Sequence, residues 1–226
     1  MRMVFAGWVA LALLESPVFA APSPDPKRFE PEISAFEAKD KLSSPPIGAI
    51  LFTGSSSIRK WHPTLAADMA PLAVLGRGFG GSIMDDLLFF APRVIITYKP
   101  KIVVIYEGDN DIAMGMEPEN IRDAFQAIQS LVHTQLPKCQ IYALSIKPSP
   151  SRWDKWPAMK RTNELIEAVC AGKPWLHYVD VATVILGKDG KPRLDLFIAD
   201  QLHLSDKGYE AWTTILKPLL LAANKK

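Results

Sequence analysis

Cysteine is nearly absent from this chain: two residues, Cys139 and Cys170, among 226. That excludes a disulfide-stapled small scaffold and a cysteine-rich zinc module. Two buried free thiols are the plain expectation, and one disulfide between them is possible. Histidine is scarce as well, with four residues. No group of His, Cys, Asp and Glu has metal-ligand spacing, so no metal is expected. A surplus of one charge is also missing: 26 Lys and Arg stand against 24 Asp and Glu, a net +2. With no basic cluster, a nucleic-acid partner is not expected. No apolar run is long enough to span a bilayer comfortably.

The longest early apolar stretch, Met3 to Leu14, follows Arg2 and is ended by Glu15 and Pro17. Val18-Phe19-Ala20 then puts small residues at the −3 and −1 positions before Ala21, the pattern of a cleaved leader. Residues 1–20 are therefore expected to be a signal peptide, and the mature protein to be exported without stable membrane insertion. Residues 21–46 read as a Pro-rich linker, "APSPDP", followed by a polar covering helix over 28–41 and a break at "SSPPI". Residues 47–226 read as one domain.

Within that domain short apolar runs alternate with helical patterns. Strands are expected at 47–52, 72–75, 102–106, 140–146 and 176–181. Helices are expected at 82–98, 118–136, 156–171 and 205–221. The run "IVVIY" at 102–106 is continuous and β-branched, as a strand buried on both faces should be. Ser82 with Asp85 resembles a capping box, and Ser205 is the expected N-cap of the last helix. Such alternation gives a parallel sheet covered on both faces, a three-layer α/β/α sandwich of about five strands. Ligands then bind at the carboxyl ends of the strands, near a switch in strand order.

The second of those strand ends carries a complete G-x-G-x-x-G in "VLGRGFGG", with Gly76, Gly78 and Gly81. Glu107, beyond the next strand, could be the acidic partner of a ribose. Three features oppose a dinucleotide site. A full strand and loop precede the motif. Glu107 lies 31 residues after Gly76, further than the roughly 20 of the fingerprint. An exported protein also rarely meets nicotinamide cofactors. No cofactor is expected.

The other strand ends are more informative. They read "TGSSS", "GRGFGGS" and "GDND", and "DQLH" stands near the C-terminus. In this order the four blocks resemble those of the SGNH hydrolases, the GDSL esterase/lipase family, over residues 47–220. The resemblance implies a flavodoxin-like α/β/α fold and ester hydrolysis through an acyl-enzyme, with short acyl groups such as acetyl. It implies Ser56 as nucleophile, His203 as base and Asp200 as its orienting carboxylate. It implies an oxyanion hole from the N–H of Ser56, the N–H of Gly81 and the side-chain amide of Asn110. The chemistry fits: a serine hydroxyl needs a base, and a base needs a fixed tautomer.

Two departures stand out. Ser55 replaces the acidic residue of the first block, and its neighbours leave Ser55 and Ser57 as alternative nucleophiles. Gly76 stands where many members have Asn. A non-catalytic protein that binds acylated glycans is the alternative reading. The substrate expected is a small-molecule, glycan or lipid ester. In the loop "KPSPSRWDKW", Arg152 and Trp153 are the candidate substrate contacts, with Lys147 and Arg152 favouring an anion. The glycines of "VLGRGFGG" other than Gly81 are expected to let the backbone turn and approach the substrate. His62, His133 and His177 are expected to be structural.

Overall fold

The computed structural model describes residues 23–225. The expected leader, 1–20, lies outside them. Among the described residues no helix is long and apolar enough to cross a membrane.

Five parallel strands form the sheet: β1 (Ile50–Gly54), β2 (Val74–Gly78), β3 (Ile102–Tyr106), β4 (Gln140–Leu144) and β5 (Leu176–Val179). Their order is β2-β1-β3-β4-β5, so the chain reverses direction across the sheet after β2. The crevice that a parallel sheet opens at such a switch lies beside the carboxyl ends of β1 and β3. Both strands are buried along their whole length, which explains why they read as continuous rather than alternating apolar runs.

Alternate residues of these strands feed two cores. Leu51, Val103, Ile105 and Ile141 point into one, with Leu87 and Phe90 of α4 (Met84–Val94), Phe125 of α6 (Pro118–Gln135) and Ile166 of α7 (Trp156–Cys170). Phe52, Val104, Tyr106 and Leu144 point into the other. There they meet Trp61 of α2 (Ser56–Trp61), Leu65 of α3 (Leu65–Asp68) and Tyr209, Trp212 and Leu216 of α8 (Asp206–Ala223). This is the α/β/α sandwich expected from the alternation. The covering helix is α1 (Glu30–Leu42), which buries only Ile33. It is held instead by Arg93 on Glu30 and Glu37 and by Arg77 on Asp40.

Several boundaries differ from the sequence reading. Ile47 is 98% exposed, and β1 starts three residues later, at Ile50. β2 does not stop at Leu75 but runs through Gly76, Arg77 and Gly78. The buried Arg77 explains the misreading: its charge looks like a loop residue. In the fold it donates to Tyr98 Oη at 2.9 Å and to the Gly76 carbonyl at 2.8 Å and pairs with Asp40. These glycines therefore serve close packing of helix on strand, not a turn. A Cβ on Gly76 would stand 2.3 Å from the His62 ring, and one on Gly78 2.6 Å from the Arg59 nitrogen.

The helix expected from Ser82 starts at Met84. Its N-cap is Ile83, whose N–H donates to the Asp86 carboxylate at 2.9 Å, so the acid of the capping box is Asp86 and not Asp85. It ends at Val94, two residues after Pro92. Ser205 does cap the last helix, accepting from the Gly208 N–H. Cys139 and Cys170 are both buried free thiols, each pushed up to about 12 by burial. The possible disulfide is not formed.

Candidate active site

β1 ends at Gly54, where φ is +128° and an added Cβ would lie 1.9 Å from the Tyr106 carbonyl oxygen. Only glycine lets β1 turn this close to β3. The Ser55 N–H donates to that same carbonyl at 3.1 Å, and the Gly54 carbonyl accepts the Phe79 N–H at 2.8 Å. The first residues beyond β1 and β2 are thus tied by backbone to the last residues of β3 and β1.

Ser56 is the first residue of α2. Its helix is fixed by Trp61, which stacks on Tyr209 at 5.1 Å between ring centres and meets Phe52 and Trp212 edge-on. Tyr209 also donates its hydroxyl to the Ser57 carbonyl at 2.9 Å. α8, which follows the "DQLH" block, is thereby bonded to the backbone beside Ser56.

Of the three consecutive serines, Ser55 and Ser57 are buried at 2% exposure, whereas Ser56 is partly open. The Ser56 Oγ lies 2.9 Å from His203 Nε2, and His203 Nδ1 lies 2.6 Å from Asp200 Oδ2. The other oxygen of Asp200 accepts the backbone N–H groups of Leu202 and His203, both at 2.9 Å. Partial desolvation works to raise this carboxyl. The backbone and ring N–H bonds from His203, with the Leu202 N–H, outweigh it and hold Asp200 well below the usual carboxylate range. Asp200 is therefore an anion that fixes the His203 ring, leaving Nε2 as the acceptor facing Ser56.

The oxyanion candidates meet on the neighbouring loops. Gly81 has φ +88° and is exposed. Among the described residues, neither its N–H nor that of Ser56 donates to another protein group. Asn110 lies in α5 (Asp109–Ala113) after β3, and its amide nitrogen donates to the carbonyl of Ser82, next to Gly81, at 2.9 Å. Its amide oxygen accepts from Arg152 at 3.1 Å. Both ends of the amide are specified, so its orientation is set by its partners. One N–H on that nitrogen is left over.

Lys147 and Arg152, expected to favour an anionic substrate, are both paired with Asp109. Lys147 is wholly buried and its Nζ lies 3.0 Å from Asp109. Arg152 Nη1 donates to the Asp109 carboxylate at 2.6 Å and to its carbonyl at 3.0 Å. Burial would raise the Asp109 carboxyl, but these two cations hold it below its ordinary value. Trp153 stacks against Trp156 at 6.3 Å. Their loop is joined to the triad turn by the Ser151 N–H, which donates to the Gln201 carbonyl at 3.1 Å.

His62, expected to be structural, accepts the Gly78 N–H on Nε2 at 3.1 Å. Burial first, then the nearby cations of Arg77, Lys39 and Arg59, lower its pKa to about 4. Sequence reasoning missed Ser82 and Glu107 as a pair: Ser82 Oγ is bonded both to Glu107 and, at 2.9 Å, to the Phe79 carbonyl. The signal was a glutamate ending a wholly apolar strand. Among the described residues no group of His, Cys, Asp and Glu is arranged to hold a metal ion.

A parallel α/β/α sandwich whose switch point carries a Ser–His–Asp relay beside free backbone N–H groups has the layout of a hydrolase. Residues 44–211 match the model of the GDSL-like Lipase/Acylhydrolase family, and the chain belongs to that family; it is an ester hydrolase. The α1 subunit of platelet-activating factor acetylhydrolase IB from Bos taurus is 29% identical over 181 residues, covering 76% of this chain and 75% of that one. Among solved structures, a protein from Streptococcus pneumoniae provisionally described as a platelet activating factor superposes with a TM-score of 0.75 at 21% identity, covering 85% and 93% of the two chains. A GDSL-like lipase from Bacteroides thetaiotaomicron gives 0.69 at 20% identity, covering 89% and 98%.

Proposed function

We propose that this protein is a serine esterase that removes short acyl groups, acetyl first among them, through an acyl-enzyme. The observation that carries the reading is the unbroken relay Ser56 Oγ, His203 Nε2, His203 Nδ1, Asp200, with steps of 2.9 and 2.6 Å. His203 takes the Ser56 proton as Oγ attacks the ester carbonyl. The oxyanion receives the N–H groups of Ser56 and Gly81 and the spare amide N–H of Asn110. His203 then protonates the leaving alcohol, and water, deprotonated by the same ring, releases the acid and restores Ser56.

The acetyl preference rests on the name of the bovine relative, an acetylhydrolase. Trp153 is proposed to contact the alcohol part of the substrate. Arg152, whose Nη1 is engaged by Asp109 and Asn110, is proposed to act mainly by orienting the Asn110 amide. The protein is proposed to work after export.

The test is hydrolysis of p-nitrophenyl esters of increasing acyl length by wild type and Ser56→Ala. The proposal expects turnover that is fastest for acetate and vanishes in the variant. Equal rates in the two proteins refute the assignment. A panel of acetylated sugars, lysophospholipids and aryl acetates then identifies the alcohol.

A further inference from the structure

Behind the oxyanion loops lies a buried group of acids that the proposed mechanism does not use. Glu107 follows β3 directly and is 2% exposed; Asp111 of α5 and Asp86 of α4 are fully buried. Each of the three has one carboxyl oxygen that is buried and has no hydrogen-bond partner. Asp86 is paired with Arg28, and Asp111 accepts the Met84 N–H at 2.8 Å. Asp109 is neutralised by Lys147 and Arg152. Among the described residues Glu107 has no cation on it: Asp111, Asp86 and Asp109 face it, and its bonded partner is the hydroxyl of Ser82.

The Ser82 hydroxyl has one hydrogen and two oxygen neighbours, the Phe79 carbonyl and Glu107 Oε1. A carbonyl can only accept. If Glu107 were ionised it could only accept too, and a single hydrogen would have to serve both. If Glu107 carries a proton, both contacts of the Ser82 hydroxyl close: Glu107 donates to Ser82 Oγ, and Ser82 donates to Phe79. Burial without a counter-charge favours that neutral form. Full burial, then the neighbouring Asp111, pushes this carboxyl well above its ordinary value, in the same direction.

We propose that Glu107 works as a neutral carboxylic acid, a hydrogen-bond donor that holds Ser82 and so positions the oxyanion donors on either side of it. Ser82 follows Gly81 directly, and its carbonyl accepts from Asn110. One residue therefore sets both the Gly81 N–H and the Asn110 amide. Glu107 touches no reacting atom; it is a positioning residue. This inference rests on the esterase reading for its kinetic consequence but not for its protonation state. Raising the pH through the Glu107 pKa removes the donor, leaves the one Ser82 hydrogen between two acceptors and weakens transition-state binding. The protonated enzyme is the active one.

The test has a spectroscopic and a kinetic arm. In protein labelled with carboxyl-13C glutamate, one side-chain carboxyl is expected to stay protonated at a pH where the exposed glutamates have all ionised. Its infrared band is expected to vanish in Glu107→Gln and persist in Asp111→Asn. On p-nitrophenyl acetate, Glu107→Gln, whose amide can still donate to Ser82, is expected to keep kcat within about tenfold of wild type. It is also expected to lose the alkaline decline. Glu107→Ala is expected to lower kcat by about a hundredfold with KM little changed, the scale of an ångström of misplacement. If all glutamates in the wild type titrate in the ordinary range, or if Glu107→Gln is as impaired as Glu107→Ala, the proposal is wrong. A protein without esterase activity that still shows the protonated carboxyl would overturn the function and leave Glu107 neutral.

Discussion

Replacing Asp200 by Asn exchanges one heavy atom, a carboxylate oxygen for an amide nitrogen, yet the geometry around it predicts a large defect. One carboxylate oxygen accepts two backbone N–H groups, from Leu202 and His203, and the other accepts His203 Nδ1–H. In Asp200→Asn the amide has one acceptor and one donor end. The two backbone N–H groups demand the acceptor, so the NH2 must face His203 Nδ1. That ring nitrogen then has to accept, and the proton moves to Nε2. Nε2, 2.9 Å from Ser56 Oγ, becomes a donor and can no longer take the serine proton. The expected loss is about 10⁴-fold in kcat, or about 5.5 kcal/mol. KM on p-nitrophenyl acetate should change little, because the ground-state site is intact. Asp200→Ala imposes no tautomer and should be no more impaired than Asp200→Asn. Circular dichroism checks that both variants fold. Activity of Asp200→Asn within tenfold of wild type would refute the tautomer argument.

Three further outcomes follow from the same geometry. The Asp111 carboxyl is raised from 3.8 to about 7 by burial, with Asp85 and Asp86 adding, against the Met84 N–H. A raised carboxyl stabilises the fold fully below its unfolded pKa, and that contribution fades as pH climbs to about 7. Asp111→Asn, measured by urea unfolding, should therefore match wild type near pH 4. Near pH 8 it should gain up to about 4 kcal/mol on it; no gain on raising the pH contradicts the shift. Tyr209→Phe removes the hydroxyl bond to the Ser57 carbonyl, which lies within α2, a cost of about 0.5–1.5 kcal/mol in stability. Its thermal unfolding should shift downward accordingly, and an unchanged midpoint would show the bond to be idle. If the protein is exported as proposed, its mature form should begin at Ala21 on N-terminal sequencing; an intact Met1 start would contradict the leader.

Three of the four motif blocks were legible because each stands at a strand end, where small and polar residues interrupt apolar runs; the fourth, "DQLH", stands in the loop before α8. "IVVIY" stood out because both of its faces are buried. Side chains whose partners lie far off in the chain were not legible. Arg77 looked like a loop residue because its partners, Asp40 and Tyr98, lie 37 and 21 residues away. Lys147 looked like a surface charge because its counter-ion, Asp109, is 38 residues distant. The choice among Ser55, Ser56 and Ser57 needed geometry for the same reason: burial of Ser55 and Ser57 and contact of Ser56 with His203, 147 residues on, separate them. Glu107 was noticed as a strand-end acid, but its bond to Ser82 depends on how two loops pack.

The most direct measurement of the account is trapping of the acyl group. Wild-type protein is mixed with a slowly deacylating nitrophenyl ester, quenched in acid, digested and read by mass spectrometry. The account predicts a stoichiometric burst of nitrophenol and one acylated peptide carrying the acyl group on Ser56, absent in Ser56→Ala. Hydrolysis with no acylated peptide, or with the acyl group on Ser55 or Ser57, would contradict it.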